Sequence, residues 1–398
     1  MNAKASKAGK APRILHLHST FDAGGKELRN VQLINAWGRE VDHAIVSGDL
    51  EKRGAAHLIG KKPRISWPKF PSLTGRPTPG RMVKLARAMA GYDLICTYNW
   101  GAIDAVMAHT IFADAFKLPP LVHHEDGFNE DEAKRLKKRR NWYRRIALGR
   151  AAALVVPSVT LEDIALTIWD QPRTRVRRIP NGIDTRAFAA PPKRDVLPLL
   201  LKHKGEYWIG ALAGLRKVKQ LDMLVRAMAD LSPEWQLVIA GEGPEREALL
   251  AEAERLGLED RVHLPGFVAQ PQKLVGLFDI FALSSHSEQF PISVVEAMAA
   301  GLPVVAPRVG DIGAMVASEN GPALVDPGDE VALAKSLCDL ADDPESRKRM
   351  GKANRVKARA EFDEARMIER YRALYWGLMQ KYPRNGALAN ADAANAED

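Results

Sequence analysis

Short apolar segments alternate with amphipathic helical segments along almost the whole chain. The apolar segments are three to seven residues long and lack polar alternation, which is typical of strands buried on both faces of a parallel sheet. In the first half they are Arg13–His18, His43–Ser47, Asp93–Asn99, Leu121–Glu125 and Ala153–Ser158. In the second half they are Trp208–Ala213, Gln236–Ala240, Val262–Leu264, Asp279–Ser284, Pro303–Pro307 and Ala323–Val325. This alternation predicts two consecutive doubly wound α/β units.

A chain of 398 residues exceeds what one hydrophobic core usually serves, so we expect two domains. The proline-bearing, poorly periodic stretch Ala189–Arg194 favours a linker between them. The predicted organisation is a basic N-terminal tail (1–12), an N-terminal Rossmann-like domain (13–190), a linker (191–206), a C-terminal Rossmann-like domain (207–360), a long helix (361–382) and a disordered tail (383–398).

The cysteines and the lack of long apolar segments indicate where in the cell the protein is expected. The two cysteines, Cys96 and Cys338, lie far apart and indicate no disulfide framework, which favours a reducing cytoplasm. The N-terminal residues have no apolar signal-peptide core, and no stretch approaches the ~20 apolar residues of a membrane span. We therefore expect a cytoplasmic protein that is soluble or peripheral on the cytoplasmic membrane.

The net charge of +9 is concentrated in one segment. Lys134–Arg150 holds nine Lys or Arg residues and no acid, with Leu136, Tyr143, Ile146 and Ala147 on one helical face. Two interpretations stay open: a basic surface helix packed on its own domain, or a patch that contacts an anionic membrane or acceptor. Nucleic acid is disfavoured, since few aromatic residues and no recognition motif accompany the charge.

Two glutamates follow the predicted strand Asp279–Ser284. Glu288 lies in the loop after that strand, and Glu296 follows it after seven residues, one to two turns into a helix that Pro291 begins. In open α/β sheets this crevice binds ligands, and a helix N-terminus there attracts phosphate. Carboxylates beside such a helix suit a ligand with both hydroxyls and phosphates, such as a nucleotide sugar. A solvated helix is the other interpretation.

The segment Glu288–Val305 resembles the E-x7-E signature of the family 4 retaining glycosyltransferases. The resemblance extends over roughly residues 13–382 and includes Ile179-Pro-Asn-Gly-Ile-Asp184, which is similar to a segment that closes the N-terminal domain in this family. It implies the GT-B fold: two Rossmann-like domains with parallel sheets, a cleft between them, and a C-terminal helix that crosses back onto the N-terminal domain.

The resemblance also implies roles for the acidic segment. Glu296 would accept hydrogen bonds from the ribose hydroxyls of the donor, and Glu288 would hold hydroxyls of the transferred sugar. The backbone N–H groups of Phe290, Ile292 and Ser293 would help bind the donor diphosphate. Pro291, which has no N–H group, belongs to the same donor-binding turn.

Cations follow the first strand of the C-terminal domain, where they suit a departing diphosphate. The family usually has Gly-Arg-Leu followed by Lys-Gly at this point. In this chain Gly214 stands at the arginine position, so the roles are assigned to Arg216 and Lys219, with Lys217 as the lesser candidate. Ordinary surface charge is the alternative.

Glycine-rich turns are further candidates for donor binding. Gly24 and Gly25 follow the first strand and resemble the family's N-terminal glycine loop, which lies between donor phosphates and acceptor. Gly241 and Gly243 resemble its G-x-G-P turn beside the nucleotide base. The pair Gly266 and Phe267 resembles a strand end that lines the base pocket.

His124 ends an N-terminal strand where the family often carries a histidine near the anomeric centre, although a paired histidine is more often structural. The chain contains no Asp-x-Asp triplet and no histidine set with metal-ligand spacing. We therefore expect neither a metal nor another cofactor.

The resemblance implies a metal-independent retaining glycosyltransferase that uses a nucleotide-sugar donor, with UDP as the default base, and a cell-envelope glycan or lipid-linked acceptor. Three alternatives remain. A GT-B sugar-nucleotide epimerase shares the fold and the donor, and a non-catalytic sugar-nucleotide binding protein shares the binding residues. A Rossmann dehydrogenase would require a Gly-x-Gly-x-x-Gly fingerprint that is missing.

Overall fold

The computed structural model describes residues 11–22, 24–128, 132, 136–190, 192, 193, 197 and 200–382. Most of the predicted N-terminal tail, the predicted C-terminal tail, and Lys134 and Arg135 of the basic segment lie outside the described residues. The chain forms two compact units. One comprises residues up to Pro157, Leu161–Ile179 and the chain from Ile368; the other comprises Ser158–Thr160 and Pro180–Met367.

The N-terminal unit contains a seven-stranded sheet with strand order β3-β2-β1-β4-β5-β6-β7, in which every pair is parallel. Its strands are β1 (Arg13–His18), β2 (Asp42–Ser47), β3 (Arg64–Ser66), β4 (Leu94–Tyr98), β5 (Leu121–His124), β6 (Ala153–Val156) and β7 (Val176–Arg178). Its helices are α1 (Gly25–Trp37), α2 (Pro79–Met89), α3 (Ile103–Phe112), α4 (Lys138–Ala147) and most of α5 (Val159–Thr167).

The C-terminal unit contains a six-stranded parallel sheet with order β10-β9-β8-β11-β12-β13. Its strands are β8 (Tyr207–Leu212), β9 (Trp235–Ala240), β10 (Val262–Gly266), β11 (Ile280–Ala282), β12 (Val304–Pro307) and β13 (Leu324–Val325). Its helices are α6 (Asp222–Ala227), α7 (Arg246–Arg255), α8 (Ile292–Ala300), α9 (Ile312–Met315), α10 (Glu330–Asp342) and α11 (Pro344–Glu361). Short 3-10 turns join several of these elements.

Both sheets are covered on both faces, as their uninterrupted apolar strands predict. In the C-terminal unit alternate residues of one strand enter opposite cores: Trp208 packs with α8, whereas Ile209 packs with α6. In each sheet the strand order reverses beside its first strand, between β1 and β4 and between β8 and β11. Ligands of open α/β sheets bind at the carboxyl ends of the strands at such reversals.

The final helix, α12 (Glu364–Lys381), contributes its residues from Ile368 onward to the N-terminal unit. There the rings of Tyr371 and Tyr375 are fully buried, and Tyr375 packs edge-on against Trp37 of α1 at 5.5 Å between ring centroids. This part of α12 is therefore a component of the N-terminal core.

The structure confirms the α/β fold with two parallel sheets and adds two strands that the sequence pattern missed. β3 and β7 are three-residue strands at opposite edges of the N-terminal sheet, and most of their residues are not buried. An edge strand needs no continuous apolar run, so periodicity carried no signal for either one.

Candidate functional site

Glu288 forms an ion pair with Lys219 in the C-terminal unit. Lys219 Nζ lies 2.5 Å from Glu288 Oε1, and the Ser285 hydroxyl donates to the same oxygen at 2.7 Å. The side chains of Lys219 and Glu288 are 23% and 11% exposed, so solvent reaches both. The structure thus brings together two residues that the sequence assigned to the site and adds Ser285, which the sequence analysis missed.

The loops that carry this pair follow β8 and β11, which are neighbours on either side of the strand reversal. The Ser284 hydroxyl donates to the carbonyl of Lys219 at 2.9 Å, and the His286 N–H donates to the carbonyl of Val218 at 2.9 Å. These bonds tie the two loops together at the carboxyl edge of the sheet. The position of the ion pair is therefore set by backbone as well as by side chains.

Glu296 is the fifth residue of α8, the helix that begins just after Glu288. Burial raises the pKa of its carboxyl group to about 7, because the ionised form loses hydration. Its carboxylate makes no hydrogen bond or ion pair with another described residue. Hydroxyl donors of a ligand would supply those missing bonds.

The first turn of α8 offers the N–H groups that the sequence analysis assigned to the donor. Pro291 is the N-cap residue in an extended conformation, and the helix starts at Ile292. The preceding loop packs closely on Gly310, whose φ is +54° and where a Cβ would lie 2.3 Å from the carbonyl oxygen of Glu288.

Arg216 does not join the ion pair of Glu288. It is exposed and lines a cavity of about 400 Å³ together with residues of α6 and α7, including Arg226 and Glu252. Lys217 lines the same cavity. Of the three candidate cations, Lys219 is the one that pairs with Glu288 in the described residues, and Arg216 would have to reorient to contact the same ligand group.

The glycines of the β9 and β10 turns have structural reasons for being glycine. Gly241 has a φ of +156°, and a Cβ there would lie 1.9 Å from the carbonyl oxygen of Ala213. At Gly243 a Cβ would lie 2.3 Å from the carbonyl oxygen of Leu215, and Gly266 has a φ of +88°. The turns thus pack directly on the loop after β8. Phe267, by contrast, is largely exposed.

In the N-terminal unit, His124 lies in the core. Its Nδ1 donates to the carbonyl of Thr97 at 3.1 Å, and its Nε2 lies 2.8 Å from the hydroxyl of Tyr375. Burial lowers the pKa of His124, which keeps the ring neutral. Because both ring nitrogens have partners and the residue is 1% exposed, the geometry contradicts a catalytic role and corrects that assignment.

The Gly24–Gly25 loop leads into α1 and covers a carboxylate. Gly24 is the N-cap residue of α1, and both glycines are exposed. Beneath them lies Glu27, which is 2% exposed and was not assigned by the sequence analysis. Burial raises the pKa of Glu27. The sequence signal was available, since an acid in the first turn of a helix commonly interacts with that N-terminus.

The basic segment is less uniform than its sequence indicates. Arg144 is fully buried, between Glu125 at 3.3 Å and Glu132 at 3.2 Å. Arg145 and Arg150 pair with Asp170 and Asp114, acids that lie outside the segment. The predicted apolar face also needs correction. Ile146 is 39% exposed, and Leu136 precedes the helix.

The exposed residues of α4 form a smaller patch than the basic segment as a whole. Lys138 and Arg139 are exposed, and neither forms an ion pair with another described residue. Trp142, one helical turn further on, is 66% exposed. These residues line a cavity of about 970 Å³ with Trp100 and Tyr143. An exposed tryptophan beside cations is typical of surfaces that meet amphipathic or anionic partners.

The two halves of the chain match two family models. Residues 23–187 match the model described as Glycosyltransferase Family 4, and residues 198–357 match the one described as Glycosyl transferases group 1. Together these matches span most of both structural units. The chain belongs to the family 4 glycosyltransferases.

Curated relatives share between a quarter and a third of the aligned residues. The chain is 28% identical over 227 residues to N-acetyl-alpha-D-glucosaminyl L-malate synthase of Bacillus anthracis, covering 55% of this chain and 58% of that protein. It is 32% identical over 186 residues to a D-inositol 3-phosphate glycosyltransferase of Segniliparus rotundus, covering 44% and 41%. The chain thus spans about half the length of these two relatives.

A longer match is to the lipopolysaccharide core biosynthesis glycosyltransferase LpsD of Rhizobium meliloti, at 24% identity over 91% of this chain and 98% of that protein. Among solved structures, Anabaena Alr3699/HepE in complex with UDP has a TM-score of 0.74 at 22% identity, covering 92% of this chain and 100% of that one. WaaG, a glycosyltransferase involved in lipopolysaccharide biosynthesis, has a TM-score of 0.64 at 16% identity, covering 91% and 99%. These likenesses establish the GT-B fold.

Proposed function

We propose that the protein is a retaining, metal-independent glycosyltransferase that moves a sugar from a UDP-sugar to a cell-envelope glycan or lipid-linked acceptor. The observation that carries this proposal is the Lys219–Glu288 ion pair in the loop before α8, together with the half-buried carboxyl group of Glu296 on α8, which has no partner among the described residues. One cation and two carboxylates at the carboxyl edge of a parallel sheet offer contacts for a diphosphate, a ribose and a sugar.

In this proposal the two carboxylates bind different parts of the donor. Glu296 accepts hydrogen bonds from the ribose hydroxyls, which favours its ionised form and offsets its burial. Glu288 accepts hydrogen bonds from hydroxyls of the transferred sugar. One of its oxygens already receives bonds from Lys219 and Ser285, so its orientation is fixed before the sugar arrives.

The leaving diphosphate requires positive charge as the sugar–phosphate bond breaks. The Lys219 ammonium has three N–H donors, and only one points to Glu288, so two are available to phosphate oxygens. Arg216 joins it after reorienting, and the N–H groups at the first turn of α8 add backbone donors.

The anomeric configuration of the sugar is retained because bond formation and bond breaking take place on the same face of the ring. The acceptor hydroxyl oxygen bonds to the anomeric carbon on the side from which the diphosphate leaves, and the bond from that carbon to the phosphate oxygen breaks. The hydroxyl proton passes to the departing phosphate. No metal and no protein nucleophile takes part in this scheme, which fits a chain with no Asp-x-Asp triplet.

The choice of donor and acceptor is supported by relatives. HepE was solved with UDP and with UDP-glucose, and LpsD is a glycosyltransferase of lipopolysaccharide core biosynthesis. We extend a UDP-sugar donor and an envelope-type acceptor to this chain on that support.

We also propose that the enzyme works at the cytoplasmic face of the membrane as a peripheral protein. The exposed patch of Lys138, Arg139 and Trp142 would contact anionic lipid, with the indole at the interface and the cations at the headgroups. None of the helices in the described part of the chain is long and apolar enough to cross a bilayer.

A donor screen tests the proposal. UDP-, GDP- and ADP-sugars are compared by thermal shift and by isothermal titration, since a ligand at 100 times its Kd adds about 2.7 kcal/mol of stability. We expect UDP-sugars to stabilise the protein and to release UDP on incubation. A protein that binds them without turnover would be a binding protein, and interconversion of the sugar without transfer would identify an epimerase.

A further inference from the structure

Gln220, the residue after Lys219, has a strained backbone conformation. Its φ of +46° and ψ of +42° lie in the left-handed helical region, which residues with a Cβ rarely adopt. Its side chain adds a second unfavourable feature, because Gln220 Oε1 is buried and has no hydrogen-bond partner among the described residues. The fold therefore keeps this conformation without help from a hydrogen bond to Oε1, and strained residues of this kind cluster at functional sites.

The backbone of Gln220 connects two segments of the C-terminal unit. Its N–H donates to the carbonyl of Lys217 at 3.1 Å and ends the 3-10 turn Lys217–Lys219. Its carbonyl accepts from the N–H of Met223 at 3.1 Å, at the start of α6. Because peptide groups are planar, a rotation about φ of Gln220 turns the whole preceding peptide group, which includes the Lys219 carbonyl, relative to α6.

The Lys219 carbonyl is one of the points at which the two loops of the site meet. It accepts from the hydroxyl of Ser284 at 2.9 Å, and Ser284 is 2% exposed. The side chain of the same lysine reaches the same loop, with Nζ 2.5 Å from Glu288 Oε1. With a right-handed φ at Gln220, the Lys219 carbonyl would turn away from Ser284 while α6 kept its place. The ammonium group would move with it.

We propose that Gln220 is a positioning residue for Lys219, an inference that rests on the proposed transferase function. Its left-handed backbone directs the Lys219 carbonyl to Ser284 and thereby holds the ammonium beside Glu288, where the proposed function has it bind the donor diphosphate. Gln220 itself touches no reacting atom in this scheme. The site requires a backbone conformation at this position rather than an amide, so residues that adopt the conformation readily should replace glutamine.

Substitutions that differ in backbone preference test this inference. Gln220→Val disfavours the left-handed conformation, because a β-branched residue is an outlier there, whereas Gln220→Gly and Gln220→Asn permit it. Lys117→Val is the matched control, since Lys117 has a φ of +49° but is an exposed residue of the N-terminal unit. In the full chain we measure kcat for UDP release from the UDP-sugar, the Kd of UDP by isothermal titration, and the midpoint of urea unfolding.

We expect Gln220→Val to lower kcat at least tenfold and to raise the Kd of UDP at least threefold, because the ammonium group no longer meets the diphosphate. Gln220→Gly and Gln220→Asn should keep both values within threefold of wild type. Lys117→Val should lower the urea midpoint, as Gln220→Val does, but leave kcat within twofold. A turn with a purely structural role would change the midpoint alone.

Gln220→Val with the kcat of wild type would overturn the inference. Gln220→Gly and Gln220→Asn that are as inactive as Gln220→Val would also overturn it, since the amide rather than the backbone would then be required. If Gln220→Val does not fold, Ser284→Ala tests the same link at the Lys219 carbonyl: it should lower kcat severalfold, and an unchanged kcat would reject the link. Wild-type protein that releases UDP from no UDP-sugar would overturn the proposed function and this inference with it, whereas the other results leave that function standing.

Discussion

The hydroxyl of Tyr375 lies 2.8 Å from Nε2 of His124, which joins α12 to the end of β5 inside the N-terminal core. His124 also packs against Tyr98, and Tyr371 packs edge-on against Tyr375. The last helix is therefore held in this unit by hydrogen bonds and ring contacts as well as by apolar burial.

Removing that hydroxyl should destabilise the protein. Tyr375→Phe keeps the ring but leaves His124 Nε2 buried without a partner, and we expect a loss of about 1–2 kcal/mol. Urea unfolding followed by circular dichroism measures it. Tyr382→Phe, at a half-exposed ring, is the control and should change stability by less than about 0.5 kcal/mol. Equal effects of the two variants would contradict the assigned role of the bond.

Buried neutral histidines should make the N-terminal unit sensitive to acid. Burial lowers the pKa of His43 to about 4 and lowers those of His16, His18 and His124. Unfolded histidines take up protons below about pH 6.5 whereas the folded ones do not, so stability falls as pH drops from 6.5 towards 4. His43→Phe should reduce the slope of the unfolding free energy against pH by the equivalent of up to one bound proton. Chemical unfolding at several pH values measures this slope. An unchanged slope would show that His43 is already charged in the folded protein.

The contribution of Glu296 to the pH dependence of stability should have the opposite sign. The pKa of its carboxyl group is about 7 in the folded protein, so between pH 4.5 and 7 the folded state keeps a proton that the unfolded state has released. Stability is therefore lost as pH rises through this window. Without ligand, Glu296→Gln should be more stable than wild type at pH 8 by on the order of 2 kcal/mol, with no gain near pH 4.5.

The same variant should bind the donor less well. We expect Glu296→Gln to raise the Kd of UDP at least tenfold by isothermal titration, because a neutral amide accepts hydrogen bonds from hydroxyls more weakly than a carboxylate. Glu247→Gln on the exposed face of α7 is the matched control. A Kd that is the same in both variants would remove Glu296 from the donor site.

The turn at Gly241 should not tolerate a side chain. A Cβ there would lie 1.9 Å from the carbonyl oxygen of Ala213, and the φ of +156° already disfavours other residues. Gly241→Ala should cost about 3 kcal/mol or more, measured by chemical unfolding. Gly313→Ala, where a Cβ meets nothing within 4 Å, should be neutral or slightly stabilising. Retained stability in Gly241→Ala would mean that the turn is less closely packed than the distances indicate.

The exposed patch on α4 should bind anionic vesicles. Flotation with vesicles of phosphatidylcholine, with and without one third phosphatidylglycerol, measures the association. We expect recovery with the anionic vesicles only, and a loss of several-fold in Lys138→Gln combined with Trp142→Ala. Lys335→Gln, at an exposed lysine of α10, is the control. Equal recovery with both kinds of vesicle, or none with either, would remove the membrane contact from the account.

Much of the fold and part of the site could be predicted from sequence, because both depend on local patterns. Apolar runs identified eleven of the thirteen strands in the described part of the chain, and the missed β3 and β7 are short edge strands. Glu288 and Glu296 were identified because their spacing lies within one loop–helix segment. By contrast, the ion pair with Lys219 joins residues 69 positions apart, and no local pattern predicts such a contact.

The assignments that failed depend on burial. His124 ends a strand three residues before Gly127, and only the position of Tyr375 on a distant helix shows that both ring nitrogens have partners. Arg144 belongs to a run of cations but is buried between two carboxylates. Conversely, Glu27 could have been noticed as an acid in the first turn of α1, whereas its position 3.9 Å from His18 Nδ1 is seen only when β1 and α1 pack together.

The most direct test of the transferase site is the turnover of UDP-sugar by Glu288→Gln, with Glu247→Gln measured in parallel. The account predicts that kcat for UDP release falls at least a hundredfold in Glu288→Gln while the Kd of UDP stays within threefold, because Glu288 contacts the sugar rather than the nucleotide. A Glu288→Gln variant that turns over the donor at the wild-type rate would contradict the account.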